Sequence, residues 1–302
     1  MFEEKIHALL GRIPQEVIVH AGMTHMDDRL ASAVFVAAGA SLGEVGPQDF
    51  EAHAAARARG AVLVDVGRVY DPIRGDFDHH QDTSLGCAAE IVCRWLGLDA
   101  AANSPAMVFA TAKDLRGFPV AVTETGHKPS PAAGKAEADI TSATLTPQFA
   151  KAIAGYLASM TGQETYEAMC LGIWAAAPEA TKSEAAARAA AKAAAEAAAL
   201  AATRVVEVDG LLVAVAPAGI TAGALFKGTK AHLAVYPDPA NPANTAVVKD
   251  TTRAEAAGID LGRAAQAVGA KQVFLHNTGF IAVVAKPRDE IDLSALVAGI
   301  RA

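Results

Sequence analysis

Two short runs of aliphatic residues restrict the N-terminal half of this chain to a parallel sheet. Residues 17–20 (Val-Ile-Val-His) form the first run and residues 61–66 (Ala-Val-Leu-Val-Asp-Val) form the second. Uninterrupted apolar runs of this kind are typical of parallel strands that are buried on both faces. The residues between them, 27–38 and 47–59, have helical spacing. The order strand, helix, helix, strand predicts a right-handed parallel crossover.

The length of 302 residues favours more than one domain. We predict an α/β fold whose first domain, residues 1–145, has a mostly parallel sheet flanked by helices. A helical connector follows over residues 146–203, because its last part is nearly all alanine, the residue of highest helix propensity. Residues 204–302 return to alternating strands and helices, which predicts a smaller mixed α/β C-terminal domain.

Charge and cysteine content exclude several classes of protein. The formal net charge of −7 argues against a basic nucleic-acid-binding surface or a polybasic membrane surface. The three cysteines, Cys87, Cys93 and Cys170, have no CxxC spacing, which favours reduced thiols over disulfides or a zinc ribbon. The N-terminal residues lack the pattern of a secretory signal, and the chain lacks a membrane-spanning run. We therefore expect a cytoplasmic protein with no membrane partner.

Metal-ligand residue types follow both apolar runs. His20 ends the first run, His25, Asp27 and Asp28 crowd into the turn after it, and Asp65 lies near the end of the second run. The carboxyl edge of a parallel sheet is where α/β proteins bind ligands. Structural interpretations of these residues stay open. One of the two aspartates, Asp27 or Asp28, could simply cap the following helix. Asp65 could simply form a turn with a nearby glycine.

A third segment, residues 77–81 (Phe-Asp-His-His-Gln), carries the strongest signal. Adjacent side chains of an extended segment point to opposite sides. We therefore expect His79 and His80 to have different roles, one as a metal ligand and the other facing a substrate.

Together these segments resemble a known family. The segments 20–28 (His-Ala-Gly-Met-Thr-His-Met-Asp-Asp), 64–67 (Val-Asp-Val-Gly), 70–72 (Tyr-Asp-Pro) and 77–81 are similar to motifs of the melanocyte-proliferating-gene-one family, a branch of the DHH phosphoesterase superfamily. Residues 273–281 (Val-Phe-Leu-His-Asn-Thr-Gly-Phe-Ile) resemble the family's closing segment. The resemblance implies a DHH-type domain, a two-metal phosphoesterase centre and a C-terminal domain that closes over it.

The resemblance also implies roles for individual residues. His80 matches the histidine that faces the phosphate, and Asp78 would orient its neighbours as a second catalytic residue. One further carboxylate is expected after the following helix, and Asp114 is our choice, with Asp139 as the competing position. In the C-terminal segment His276 and Gly279 would contact substrate; the alternative for them is a β-turn with an exposed histidine. The positions that match metal ligands are His20, His25, Asp27, Asp65 and His79.

Mixed imidazole and carboxylate ligands favour two Mn²⁺ ions, with Mg²⁺ or Zn²⁺ as alternatives. We expect a hydrolase that cleaves phosphodiester bonds of short oligonucleotides or small nucleotides with a two-metal-activated water. An exonuclease is one form of this prediction, and the partner is then a phosphorylated small molecule or a short nucleic acid. The alternative is a non-enzymatic regulatory module that binds metal or nucleotide. The alanine-rich helices also suggest a homodimer.

Overall fold

The computed structural model describes residues 2–21, 25–46, 49–239, 241–256, 258–275 and 279–301. Helices and two mixed sheets make this an α/β protein, which confirms the predicted fold class at that level. The chain divides into two compact units, Met1–Ala187 and Arg188–Ala302.

The first unit contains a five-stranded sheet in the order β2-β1-β3-β5-β4. Its first four strands run parallel, and only the edge strand β4 is antiparallel to its neighbour β5. The central strands are apolar and buried because both faces of the sheet are covered. The strands are β1 (Glu16–His20), β2 (Ser41–Val45), β3 (Val62–Val64), β4 (Tyr70–Asp71) and β5 (Asp76–Phe77).

Ten helices lie within the first unit among the described residues. Three of them begin with a Ser or Thr N-cap followed by proline, a strong helix-start signal because proline lacks the N–H that would stay unpaired there. The helices are α1 (Phe2–Leu10), α2 (Met26–Ala37), α3 (Phe50–Ala58), α4 (Ala88–Trp95), α5 (Asp99–Ala102), α6 (Pro105–Arg116), α7 (Phe118–Thr125), α8 (Pro131–Ser142), α9 (Pro147–Ser159) and α10 (Tyr166–Ala176).

Helix α2 is the centre of the first core. All of its side chains from Met26 to Val36 are buried, and it packs against α4 and α9. Phe35 on this helix contacts Phe77 at the end of β5, with ring centroids 5.6 Å apart. This packing holds the start of α2 close to the ends of the central strands.

One part of the predicted crossover is wrong. The pattern predicts two successive helices between β1 and β3, but the edge strand β2 lies between α2 and α3. Its sequence, Ser-Leu-Gly-Glu-Val, lacks a buried apolar run because its side chains are only partly covered at the edge of the sheet. Hydrophobicity therefore does not reveal it.

The second unit contains a six-stranded sheet in the order β10-β11-β9-β8-β7-β6. The pair β7–β8 is parallel and the other pairs are antiparallel. The elements are β6 (Arg204–Val208), β7 (Leu211–Val215), β8 (Leu233–Pro237), β9 (Thr245–Lys249), β10 (Gln272–Leu275), β11 (Ile281–Val284), α12 (Ala222–Thr229), α13 (Ala264–Ala267) and α14 (Leu293–Arg301).

The predicted connector, residues 146–203, is divided between the two units at residues 187 and 188. Its first part is core of the first unit, since Phe149 and Ile153 of α9 are fully buried there. Its alanine-rich part forms the helix α11 (Glu179–Ala201), which begins in the first unit and ends in the second. No helix in the described ranges is long and apolar enough to span a membrane.

Candidate metal centre

Three parallel strands of the first sheet end in residues that can bind metal. His20 is the last residue of β1, Asp65 directly follows β3, and Asp78 and His79 follow β5. Because β1, β3 and β5 are parallel neighbours, their carboxyl ends meet at one edge of the sheet. The strand register therefore brings together residues that lie up to 59 positions apart in the chain.

Asp65 adopts a backbone conformation that residues other than glycine rarely adopt. Its φ of 55° lies in the left-handed region, where aspartate is one of the few tolerated non-glycine residues. Its N–H donates to the carbonyl of Phe77 at 3.0 Å, which keeps the residue paired to β5 as the strand ends. Such local strain is concentrated at functional sites, where surrounding contacts hold it in place.

The start of α2 brings three more side chains to this edge. The Asp28 carboxylate accepts the backbone N–H of His25 at 2.9 Å, so Asp28 does act as a helix cap. Asp27 brings an unsatisfied atom to this edge, because its Oδ2 is buried and has no hydrogen-bond partner among the described residues. The capping interpretation therefore holds for Asp28 but does not exclude a ligand role, because its Oδ1 is also buried without a hydrogen-bond partner among the described residues.

Asp114, rather than Asp139, completes the cluster. Asp114 lies in the last turn of α6, where the helix dipole disfavours a negative charge, so the helix itself gives no reason for a carboxylate there. Its oxygens lie 3.2 Å from Nε2 of His79 and 3.8 Å from Nδ1 of His25. Asp139 instead pairs with Lys135 one turn earlier on α8, at 2.6 Å.

His79 and Asp65 form the centre of the cluster. Nε2 of His79 lies 2.8 Å from Oδ1 of Asp65, and both side chains are at most 4% exposed. Nε2 of His20 lies 3.0 Å from Oδ2 of Asp28 and 3.6 Å from Oδ2 of Asp65. Asp65 thus contacts histidines from two different strand ends.

The two adjacent histidines do not point to opposite sides, so that prediction is wrong. Strand β5 ends at Phe77, and the chain turns at His79, whose carbonyl accepts the N–H of Asp82. The two imidazole rings are stacked, with centroids 4.7 Å apart. Their environments still differ, because the His79 side chain is 4% exposed and that of His80 is 48% exposed.

Asp78 orients His80 through two hydrogen bonds. Its Oδ1 accepts the backbone N–H of His80 at 2.8 Å and contacts the ring Nδ1 at 2.7 Å. Its Oδ2 accepts the N–H of Arg68 at 2.7 Å, which fixes the carboxylate from the other side. The hydrogen bond that His80 makes to the Asp78 carboxylate raises the pKa of His80 and so favours the protonated ring.

The pKa values in the cluster show the electrostatic cost of crowding carboxylates. Burial, together with the charges of the nearby Asp27 and Asp28, raises the pKa of Asp65 to about 12. Burial also raises the pKa of Asp27 and that of Asp114. Burial lowers the pKa of His79, because it disfavours the imidazolium cation. The neutral imidazole that results is the form that binds metal.

The buried atoms of the cluster fit divalent cations. Five ligand atoms from different residues are buried without a hydrogen-bond partner of normal geometry among the described residues, although histidine and carboxylate atoms lie within 4 Å of one another. Orphaned polar atoms of this kind are rare unless a bound ion or water satisfies them. They are Oδ2 of Asp27, Oδ1 of Asp28, Oδ1 of Asp65, Nε2 of His79 and Oδ2 of Asp114.

Four overlapping groups of these residues have ligand atoms within 4.8 Å of one another. Asp65 and His25 each belong to two groups, as do Asp27 and Asp28, so the groups form one continuous cluster. The structure thus gathers every predicted metal ligand in one place. The groups are His20, His25 and Asp28; Asp65, His79 and His80; His25, Asp27 and Asp114; and Asp27, Asp28 and Asp65.

The predicted C-terminal contacts belong to the second unit. His276 lies outside the described residues. Gly279 lies two residues before β11 and has a φ of 66°, a left-handed conformation that favours glycine. Its role as a substrate contact stays a prediction.

Sequence reasoning missed two features of this site. Asp28 belongs to two of the four groups, although the resemblance gives it no ligand role. A cavity beside the cluster is lined in part by Glu137 and Tyr166, from helices that no motif marks. Asp28 could have been predicted as a ligand because it directly follows Asp27, which is a predicted ligand. No nearby residue in the sequence marks Glu137 or Tyr166 as part of the site.

In comparisons with known proteins, no family model and no curated protein matches this chain.

Proposed function

We propose that this chain is a metal-dependent phosphoesterase that hydrolyses phosphodiester bonds in short oligonucleotides or small nucleotides. Membership in the melanocyte-proliferating-gene-one family, with its DHH-type domain organisation, is part of the proposal. The motif order along the sequence supports it, and so does the meeting of three of those motifs at one sheet edge.

The observation that carries the proposal is the set of buried ligand atoms that lack a hydrogen bond of normal geometry among the described residues. Four aspartates from three segments lie together, and no lysine or arginine among the described residues forms an ion pair with any of them. Buried carboxylates are retained when paired or when they bind metal. A cluster of this composition therefore favours a cation site over a structural role.

The residues that would hold the ions are those of the cluster, with two Mn²⁺ as the proposed pair. Nitrogen and oxygen donors together suit Mn²⁺ better than Mg²⁺, which prefers oxygen alone. Bound ions would supply Lewis-acid polarisation of a phosphoryl oxygen and a water of lowered pKa. The proposed ligands are His20, His25, Asp27, Asp65, His79 and Asp114.

His80 has a different part in this proposal. Its ring is half exposed beside the buried cluster, and Asp78 fixes it through Nδ1. The same contact favours the protonated ring, which can donate a hydrogen bond to a phosphoryl oxygen through Nε2. His80 would therefore orient the phosphate and stabilise the negative charge that develops on it.

Turnover of bis-(p-nitrophenyl) phosphate tests the proposal. We expect Mn²⁺-dependent release of p-nitrophenol that falls more than about 100-fold in Asp65→Ala and His79→Ala, because each removes a central ligand. Asp139→Asn is the matched control, since this carboxylate pairs with Lys135 outside the cluster. It should keep wild-type turnover.

Two results would contradict the proposal. Equal turnover in Asp65→Ala and wild type would exclude the cluster as the active site. A protein that binds Mn²⁺ but cleaves neither this ester nor short RNA or DNA would support the non-enzymatic regulatory alternative.

A further inference from the structure

A cavity of about 190 Å³ adjoins the metal cluster within the first unit. One side is formed by the cluster residues His25, Asp27 and Asp114. This volume equals that of about six liquid water molecules and is below the range of drug-sized sites. The cavity can therefore take one small group attached to a phosphate. The remaining lining residues are Met26, Ala110, Lys113, Glu137, Thr141 and Tyr166.

Tyr166 supplies an unpartnered donor to this cavity. The residue is 1% exposed, and its hydroxyl, which lies beside Glu137 and Cys170, has no hydrogen-bond partner of normal geometry among the described residues. Burial raises the pKa of Tyr166, so the phenol stays neutral and keeps its proton. A buried hydroxyl without a partner is costly, which indicates that a bound group satisfies it.

The far wall of the cavity is polar but carries no net charge. The ammonium group of Lys113 pairs with the carboxylate of Glu137, and it lies 5.6 Å from the centre of the Tyr166 ring. A second phosphate here would have to compete with Glu137 for Lys113 and would be repelled by the carboxylate. A hydroxyl group has no such conflict, because it donates to a carboxylate oxygen and accepts from an ammonium or phenol.

We propose that this cavity binds one uncharged, hydroxyl-bearing group of the phosphoester, about the size of a pentose or a short polyol. The inference rests on the proposed function, because the cluster must hold the phosphate for the cavity to receive the attached group. Lys113, Glu137 and Tyr166 are then specificity residues that select a neutral polyol over a second anionic group.

Calorimetric binding of phosphonates in the presence of Mn²⁺ tests the inference without turnover, since their carbon–phosphorus bond is not hydrolysed. Three probes are needed: methylphosphonate, the phosphonate isostere of ribose 5-phosphate, and 3-phosphonopropionate, which adds a carboxylate. We expect the ribose phosphonate to bind at least about ten-fold more tightly than methylphosphonate, as two or more new hydrogen bonds would give. We expect 3-phosphonopropionate to bind no more tightly than methylphosphonate.

Two variants test the assigned residues. Tyr166→Phe removes the hydroxyl and keeps the ring, and should reduce the preference for the ribose phosphonate about five-fold. Tyr156→Phe is the matched control, because its hydroxyl donates to the carbonyl of Ala168 outside the cavity. Glu137→Gln frees Lys113 from its partner, and should increase the relative affinity for 3-phosphonopropionate.

The outcomes separate this inference from the proposed function. If methylphosphonate does not bind in the presence of Mn²⁺, the cluster does not hold a phosphoryl group and both proposals are wrong. If methylphosphonate and the ribose phosphonate bind equally, only the cavity inference is overturned. A preference that survives in Tyr166→Phe and is lost in Tyr156→Phe would also overturn it.

Discussion

Replacing Asp65 by asparagine is expected to stabilise the metal-free protein and to abolish its response to Mn²⁺. The Asp65 side chain is 3% exposed, and its ligand atoms lie within 4.8 Å of those of Asp27 and Asp28. In the absence of cations this crowding costs free energy of folding. Asparagine has nearly the same shape but carries no charge, so it removes the cost together with the ligand.

The size of the effect follows from two limits. Two carboxylates 4.8 Å apart repel each other by about 3 kcal/mol at an effective dielectric constant of 20. Protonation caps the penalty, since holding a proton on Asp65 at pH 7 against an ordinary pKa of 3.8 costs about 4 kcal/mol. The variant also loses the contact with His79, which offsets part of this relief, so we expect a net gain of about 2 kcal/mol.

Urea unfolding with EDTA or with Mn²⁺ measures this effect. The chain has two tryptophans, Trp95 and Trp174, and both lie in the first unit, so their fluorescence reports on the unit that contains the cluster. We expect Asp65→Asn to be more stable than wild type in EDTA and less stable in Mn²⁺. Asp139→Asn, which removes a carboxylate paired with an exposed lysine, should change stability by less than about 0.5 kcal/mol in both conditions.

The pH dependence has a defined sign. Because the pKa of Asp65 is raised on folding, its penalty is absent below pH 3.8 and grows as the pH rises above that value. The advantage of Asp65→Asn in EDTA should therefore shrink as the pH falls from 7 to 4. The reasoning is refuted if the variant is destabilised in EDTA, or if Mn²⁺ stabilises variant and wild type equally.

Three further predictions concern other parts of the molecule. Asp78→Asn should lower the pKa of His80 toward its ordinary value, as measured by an NMR titration of the imidazole, and should reduce turnover about 10- to 100-fold. An unchanged pKa of His80 would contradict the assigned contact. Gly299→Ala should destabilise the second unit by about 1–3 kcal/mol in thermal unfolding followed by circular dichroism, because a Cβ there would lie 2.3 Å from Cβ of Ala267. Gly223→Ala, where a Cβ meets nothing within 4 Å, is the matched control and should be neutral or stabilising. The three cysteines are buried and burial raises the pKa of each thiol, so none should react with a thiol reagent at pH 8 until urea unfolds the protein; rapid labelling of the native chain would contradict this.

The position of the candidate metal centre was predictable because several of its histidines and aspartates follow recognisable strands. Apolar runs end at His20 and just before Asp65, and parallel strands place such ends at one edge. The choice between Asp114 and Asp139 was not predictable from either neighbourhood. Asp114 joins the cluster because the end of its helix lies at the sheet edge, whereas Asp139 forms an ion pair with Lys135 one turn earlier on its own helix.

The cavity could not be predicted, because its walls come from distant helices. Glu137 and Tyr166 lie on α8 and α10, and both meet Lys113 of α6 only through tertiary packing. Residues 123–135 have the proline and glycine content of a loop, whereas the structure has the end of α7 and the start of α8 there. Proline and glycine suggested a loop there, but Ser130 caps α8 and a proline at its first position starts it.

The structural features that the sequence did not predict have weak hydrophobic patterns rather than unusual geometry. Strand β2 is mixed in composition because it lies at an edge and is only partly buried. The stacking of His79 on His80 depends on where β5 ends, and the ends of elements are the least predictable part of any pattern.

Anomalous diffraction at the manganese edge, from crystals soaked in Mn²⁺, tests the central claim most directly. We predict two peaks in the first unit, next to Asp65 and His79 and bounded by the ligand atoms of Asp27 and Asp114. A map without peaks at this position, from crystals in which the manganese is bound elsewhere or not at all, would contradict the account.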